Sequence, residues 1–311
     1  MKTFTLPGTD ITAPNVVLGL MRIQEKTDEE VRTLVKTATD AGITFLDHAD
    51  VYGNETHGCE RRFAEAMRLT AAERERLVIQ TKTGIVKEQG PYFDFSHEHI
   101  TASVDASLEA LGTDYIDILL LHRPDALVEP EEVARAFDDL AAAGKVRAFG
   151  VSNHTASQLA LLRKYVTQPI VANQLQLSIT HAPLIAQGVA ANMQALDQSV
   201  ARDDGLLDYC RLHDITVQAW SPFQAGFFDG TFLDADRFPE LNAVIDRLAA
   251  KYGVPPIAVA VGWITRHPAR MQVVIGTTSP ERVAASAQGS ELPLTRAEWY
   301  ELFRAAGYTV P

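Results

Sequence analysis

Short apolar runs alternate with amphipathic helical segments about eight times along this chain, and most runs are apolar throughout rather than at every second position. A strand that is apolar on both faces is buried on both faces, and a helix between successive strands is the crossover that a parallel pair requires. The rhythm begins with VVLGL (Val16–Leu20), followed by a helix in which Val31, Leu34, Val35, Ala38 and Ala41 recur at helical spacing before Gly42 stops it. Thr27 and Glu30 at its start form a capping-box pattern. Strand-like ITFLDHA, RLVIQTK, YIDILLLH, KVRAFGVSN, PIVANQLQ, ITVQAWS and MQVVIG continue the series, each separated from the next by helical patterning. Units of this kind close into a barrel more readily than they form an open sheet, so the predicted fold is a (β/α)8 TIM barrel in one α/β domain over residues 1–311. FTLPGTDIT, with Pro7-Gly8 at its turn, predicts an N-terminal β-hairpin, and a second capping box at Thr295–Glu298 predicts an extra C-terminal helix.

The 311 residues, 46% of them hydrophobic, suffice for one large core. A formal net charge of −12 argues against general affinity for nucleic acid or an anionic membrane, so the expected partner is a small molecule. Cys59 and Cys210 form no metal-ligand spacing and read as ordinary thiols. The opening MKTFTLPGTDITAP lacks the apolar core of a signal peptide, and no stretch approaches the roughly 18 apolar residues of a membrane span. The expectation is a soluble cytoplasmic protein. Residues 181–204 and the glycine-aromatic stretch Gln224–Phe232 are long connections of the kind that cover active sites in barrels.

Catalytic residues of such a barrel sit at the carboxyl ends of its strands. FLDHADVYG, VIQTK and ILLLHRPD each place polar groups just after an apolar run, so Asp47, Tyr52, Lys82 and His122 are expected to converge on one pocket. A tyrosine holds its proton at neutral pH and releases it only if the phenolate is stabilised. Lys82 would supply that stabilising charge, Asp47 would keep Lys82 protonated, and His122 would donate to an oxygen where negative charge develops. Such a set protonates an alkoxide as it forms from a carbonyl. None of the four is a reductant, so hydride has to come from a bound cofactor. Taken singly these residues read more plainly: Tyr52 as loop packing, Lys82 as a solvated strand end or a Schiff-base lysine, His122 as a core histidine. Asp47, His48, Asp50, His57 and His122 lack HxH or HExxH spacing, and no metal site is expected.

Asp47 and Tyr52 within DHADVYG, with Lys82 and His122 at successive strand ends, resemble the catalytic tetrad of the aldo-keto reductase family. The resemblance extends along the chain through GVSN (Gly150–Asn153), Asn173-Gln174, AWSPF (Ala219–Phe223) and VIGTTSPERV (Val274–Val283). It implies a barrel that binds extended NADPH without a Rossmann fold, and no GxGxxG follows the first strand. It further implies reduction of an aldehyde or ketone to an alcohol, with Tyr52 as proton donor, Lys82 and Asp47 assisting, and His122 orienting the carbonyl. Ser152, Asn153 and Gln174 would bind the carboxamide and Trp220 would stack on the nicotinamide. Ser221, Phe223 and Gly226 would follow the pyrophosphate, with Pro222 among the cofactor contacts. Gly276, Thr277, Ser279 and Arg282 would surround the adenosine phosphate, where Arg282 offers a planar fork suited to a 2′-phosphate.

The chain also departs from the family pattern. His48 stands where many members have Thr, a variant associated with a bacterial subgroup. GTTSPER lacks the lysine often found near the start of the adenosine-phosphate motif, and Ala285-Ser286 replace an acidic-Asn pair after the arginine. The NADPH expectation therefore rests on Arg282 and the hydroxyls, and NADH stays open as a cofactor. Two other readings stand beside reduction: a cofactor-sensing regulatory subunit, since potassium-channel β subunits share this fold and tetrad, and a Schiff-base lyase using Lys82. Substrate choice would reside in residues 21–26, 84–96 and 224–232, with Phe227 and Phe228 expected to pack in the last of these loops.

Overall fold

From the amino terminus, β1 (Thr3–Thr5) and β2 (Thr12–Pro14) pair as an antiparallel hairpin, followed by β3 (Val16–Gly19), β4 (Phe45–Asp47) and β5 (Val78–Thr83). A small antiparallel pair, β6 (Ile85–Val86) and β7 (Tyr92–Phe93), precedes β8 (Ile116–Leu121), β9 (Val146–Ser152), β10 (Ile170–Gln176), β11 (Thr216–Trp220) and β12 (Gln272–Ile275). In this computed structural model, which describes residues 1–87, 90–226, 229–233 and 236–311, eight of these strands close into a parallel barrel in the order β10-β11-β12-β3-β4-β5-β8-β9. Phe227 and Phe228 lie outside the described residues.

The helices are α1 (Asp28–Asp40), α2 (Gly58–Met67), α3 (Ala71–Arg74), α4 (His97–Leu111), α5 (Pro130–Ala142), α6 (Ala156–Arg163), α7 (Pro183–Val189), α8 (Leu206–Leu212), α9 (Pro239–Tyr252), α10 (Pro256–Thr265), α11 (Pro280–Ala287) and α12 (Arg296–Ala305). Both capping boxes form: Glu30 N–H donates to Thr27 Oγ1 at 3.2 Å and Glu298 N–H to Thr295 Oγ1 at 3.3 Å. Short α3 and the β6–β7 pair were not expected, because elements of two to four residues carry no periodicity that a sequence reading can detect. Among the described residues no single helix is long and apolar enough to cross a membrane. The apolar α10 is instead buried from Ala258 to Ile264.

Two apolar regions hold the barrel together. The larger fills the space between strands and helices and includes Leu34, Phe63, Phe137, Phe149, Ile245 and Trp263. The smaller lies inside the barrel, where Val17, Phe45, Val78, Ile118, Leu120, Ala148 and Val274 meet Leu6, Ile11 and Ala13 of the hairpin. The hairpin thus plugs the amino-terminal end. Leu6 is fully buried there, and burying a leucine contributes about 1.5–3 kcal/mol. At Gly150 a Cβ would come within 2.6 Å of Leu120 Cδ2 and 2.8 Å of Ala172 O, so the narrow interior admits only glycine. With one end sealed by apolar side chains, the polar groups collect toward the carboxyl ends. Strand register sets them level, with Asp47 opposite Gln80, Lys82 opposite Leu120 and Gln176 opposite Trp220.

Candidate active site

Alternate residues of a strand share a face, so Gln80 and Lys82 of β5 both point into the barrel. Lys82 Nζ lies 2.7 and 2.8 Å from the two carboxylate oxygens of Asp47, 2.8 Å from the His48 carbonyl and 3.1 Å from the Tyr52 hydroxyl. Pairing between β4 and β5 continues past the strand end, with His48 N–H donating to Gln80 O and Asp50 N–H to Lys82 O. A turn then brings Tyr52 back over Lys82: its N–H donates to Ala49 O at 3.1 Å, and its carbonyl accepts from Cys59 N–H at the start of α2. Gly53 completes the turn at φ +105°, where a Cβ would stand 2.2 Å from Gln24 Oε1. The Tyr52 and His122 rings meet edge to face, with centroids 5.8 Å apart.

The electrostatics of the set follow from burial and neighbouring charge. Burial works against the Lys82 ammonium, but the Asp47 charge and the Tyr52 hydroxyl more than offset it, and its pKa lies above the ordinary lysine value. Burial likewise lifts Tyr52, with Lys82 opposing, so the phenol keeps its proton at neutral pH. Burial, helped by Lys82, Arg123 and Lys87, depresses His122 well below the usual histidine value and leaves it neutral. A saturated ammonium has no lone pair to attack a carbonyl, so the Lys82 environment does not suit Schiff-base chemistry.

Beneath Asp47 runs a row of buried glutamines, of which only Gln174 is expected from the sequence. Gln80 Nε2 and Gln174 Nε2 donate to Asp47 Oδ1, at 2.5 and 3.1 Å. Gln218 bridges Gln80 and Gln272 with bonds of 3.0 Å and accepts from Gln174, and Gln272 Nε2 donates to Pro14 O at 2.7 Å. The signal was present: VIQTK, ANQLQ, TVQAW and MQVV each carry one inward glutamine in an apolar strand. Gln174, expected at the carboxamide, is thereby held to Asp47.

Behind β4 and β5, facing α2 and α4, lies a second polar cluster. Asp50, pushed up to about 7 by burial and by Glu60, accepts from Ser103 Oγ at 3.0 Å. Glu60 accepts from Thr81 Oγ1 and approaches His57 Nδ1 to 2.6 Å. His48 is fully buried with neither ring nitrogen partnered, and burial brings its pKa down to about 3. Among the described residues, no three His, Cys, Asp or Glu side chains form a group able to hold a metal ion.

A cavity of about 970 Å³ opens over Tyr52 and His122 and runs toward α11. Asp47, Tyr52, His122, Ser152, Asn153, Gln174, Trp220, Ser221, Pro222, Phe223, Gly276, Thr277, Ser279 and Arg282 line it. Lys82 lies behind Tyr52, and Gly226 is the one other expected residue outside the lining. Asn153 and Ser221 adopt left-handed backbone angles, φ 60° and 51°. Such angles cost a non-glycine residue energy and gather at binding sites. Asn153 links the rim, donating to Ser152 Oγ at 2.8 Å and accepting from Trp220 Nε1 at 3.1 Å.

The sequence profile of the aldo/keto reductase family matches residues 15–305. The chain belongs to that family. As an aldo/keto reductase it is an NAD(P)H-dependent oxidoreductase. It is 35% identical to the uncharacterized oxidoreductase YcsN of Bacillus subtilis, with 97% of each chain covered. It is 33% identical to a 6-dehydroglucose reductase of Agrobacterium fabrum (94% and 93% covered) and to the oxidoreductase YdhF of Escherichia coli (95% and 94%). The fold matches that of the thermostable aldo-keto reductase Tm1743 in complex with the inhibitor epalrestat, with a TM-score of 0.77, 23% identity and 98% and 100% of the chains covered. The Bombyx mori aldo-keto reductase in complex with NADP superimposes with a TM-score of 0.74 at 22% identity, covering 100% and 94%.

The far end of the reductase cavity has the donors that a phosphate needs. Thr277 Oγ1 accepts from Ser279 N–H, Ser279 caps α11, and Arg282 on the first turn takes part in no ion pair among the described residues. Among the described residues, a Cβ at Gly276 would meet nothing within 4 Å, so the groove floor is open to them there. Glu281 works in the opposite sense: its carboxylate accepts from Ser279 Oγ at 2.6 Å and also lines the groove. These residues fit an extended dinucleotide, with a hydroxyl and a guanidinium to offer and one carboxylate to be displaced.

Proposed function

We propose that this aldo/keto reductase uses NADPH to reduce an aldehyde or ketone to an alcohol, with Tyr52 as the proton donor. The observation that carries the reading is the position of Lys82 Nζ, which touches the Asp47 carboxylate and the cavity-facing Tyr52 hydroxyl at once. NADPH, when bound, would supply the hydride that the carbonyl carbon receives. Tyr52 then gives its proton to the carbonyl oxygen, and the phenolate left behind is stabilised by the ammonium at 3.1 Å. Asp47 keeps Lys82 charged, and the glutamine row keeps Asp47 in place. His122, as a neutral imidazole, has one N–H with which to orient the carbonyl oxygen.

For the cofactor, Ser152 and Asn153 would bind the carboxamide and Trp220 would stack on the nicotinamide. Gln174 would have to give up part of its bonding to Asp47 to contribute. Ser221, Pro222, Phe223 and Gly226 would follow the pyrophosphate, and Gly276, Thr277, Ser279 and Arg282 the adenosine phosphate. NADPH is favoured over NADH by Arg282, which has no ion-pair partner among the described residues, with Glu281 opposing. The 6-dehydroglucose reductase among its relatives supports the reductive direction. The test is a titration of tryptophan fluorescence with NADPH and with NADH, followed by an absorbance assay of NADPH oxidation over a carbonyl panel. Saturable quenching and carbonyl-dependent oxidation are expected. Absence of both from the folded protein would remove the reading.

A further inference from the structure

The catalytic end of the cavity carries two arginines that reduction of a neutral carbonyl does not require. Arg22 and Arg123 both line it, and neither forms an ion pair or a side-chain hydrogen bond among the described residues. Arg22 follows β3 and Arg123 follows β8, so in the barrel order they flank the ends of β4 and β5 that bear Tyr52 and Lys82. Arg123 is half-buried, with its Cζ 5.9 Å from the centroid of the Trp220 ring. Burial lowers its pKa, and among the described residues the group that opposes this is the Tyr52 hydroxyl rather than an acid. Of the described carboxylates lining the cavity, Asp47 is committed to Lys82, and Glu281 belongs to the α11 end. Lys87 adds a third cation nearby, its Nζ donating to Val51 O and its charge acting on His122.

Such a cluster runs against the composition of a chain with net charge −12. A desolvated guanidinium without a carboxylate is costly unless an anion arrives with the ligand. The cofactor phosphates do not meet that need, since their groove lies at the other end of the cavity. The nicotinamide does not meet it either: loss of hydride makes the ring cationic, and an unpaired Arg123 beside Trp220 would oppose the reaction. An anionic group on the substrate relieves both problems. The planar fork of arginine matches carboxylate and phosphate oxygens alike.

We propose, resting on the reductase reading, that the carbonyl substrate carries a carboxylate or phosphate group that Arg123 holds beside the reacting carbonyl, with Arg22 as a second cation at the mouth. Phosphate and carboxylate are separated by matched pairs: glyceraldehyde 3-phosphate against glyceraldehyde, and succinic semialdehyde against butanal. The ratio of kcat/KM between charged and neutral members is the readout. In the wild type at least one pair should favour the charged member by about 10-fold or more, with the preference falling as salt is raised. Arg123→Gln should lower that ratio by about 10-fold, bringing it toward one, Arg123→Lys should retain part of it, and Arg22→Gln should lower it less. A ratio at or below one in both pairs overturns the proposal, as does a ratio unchanged in Arg123→Gln. If none of these four carbonyls oxidises NADPH, the anion site is still tested by binding, separately from the reductase reading. Calorimetric titration with succinate and with inorganic phosphate should then show binding to wild type that Arg123→Gln loses, and no binding of either to wild type overturns the proposal.

Discussion

Lys82 Nζ sits between both carboxylate oxygens of Asp47, at 2.7 and 2.8 Å, and both side chains are almost wholly shielded from solvent. A buried pair of this kind is far more sensitive to losing one partner than to losing both. Lys82→Met leaves the Asp47 carboxylate unpaired and should cost about 3–5 kcal/mol in denaturant unfolding. Adding Asp47→Asn should recover part of that stability, while turnover stays lost in both variants. Recovered turnover in the double variant would argue that Lys82 has only a structural role.

Tyr52→Phe removes the hydroxyl and retains the ring that packs on His122. Reductive kcat should fall by at least about 10²-fold. The affinity for NADPH, read by tryptophan quenching, should stay within about 3-fold, the range of a changed neighbour rather than a lost contact.

At the α11 end, Arg282 and Glu281 act on a bound phosphate with opposite sign. Arg282→Gln should weaken NADPH binding by about 10-fold and leave NADH binding nearly unchanged. Glu281→Gln should instead strengthen NADPH binding by about 2- to 3-fold. Parallel fluorescence titrations of both variants with both nucleotides measure the difference. Equal effects on NADPH and NADH would place the 2′-phosphate elsewhere.

Asp50 gives the protein a pH-dependent cost. In the folded chain its carboxyl keeps its proton up to about 7, because burial and the Glu60 charge oppose ionisation, whereas the unfolded carboxyl ionises near 3.8. The folded state therefore binds more protons over that interval, and this group's contribution to stability is lost as pH rises from about 4 to about 7. Asp50→Asn has no such slope. Its stability relative to wild type should climb by about 2–4 kcal/mol between pH 4 and pH 8, then level off. A constant difference across that range, from chemical unfolding at several pH values, would contradict the assignment.

The barrel was legible because its signal is repeated: eight buried strands in one chain leave little room for another arrangement. The tetrad was legible for a related reason, since strand ends with chemically capable residues in several units must meet at one mouth. The glutamine row was not, because each of Gln80, Gln174, Gln218 and Gln272 stands alone in its own strand and looks like an isolated polar exception. Only the closed barrel shows that their side chains meet. Arg123 in HRPD is not legible as a ligand-binding residue either, since nothing in a sequence says whether an arginine will find a carboxylate. The hairpin of Ile85–Val86 and Tyr92–Phe93 escaped because two residues have no period.

The glutamine row also has a measurable consequence. Gln218→Leu removes the hub shared by Gln80, Gln174 and Gln272 and leaves their buried amide groups short of partners. Each such group costs about 1–3 kcal/mol, so a marked loss in thermal unfolding is expected, together with reduced kcat as Asp47 loses its support. Unchanged stability would mean that the row contributes nothing to holding Asp47.

The fate of the hydride separates reduction with Tyr52 as proton donor from every other use of this site. NADPH carrying deuterium at both positions of nicotinamide C4 would be incubated with wild-type protein or Tyr52→Phe and a panel of aldehydes and ketones, including the charged and neutral pairs above, and the products weighed by mass spectrometry. Wild type should give an alcohol carrying one deuterium on the former carbonyl carbon, and Tyr52→Phe almost none in the same time. Unlabelled alcohol, or equal labelled product from the two proteins, would contradict it.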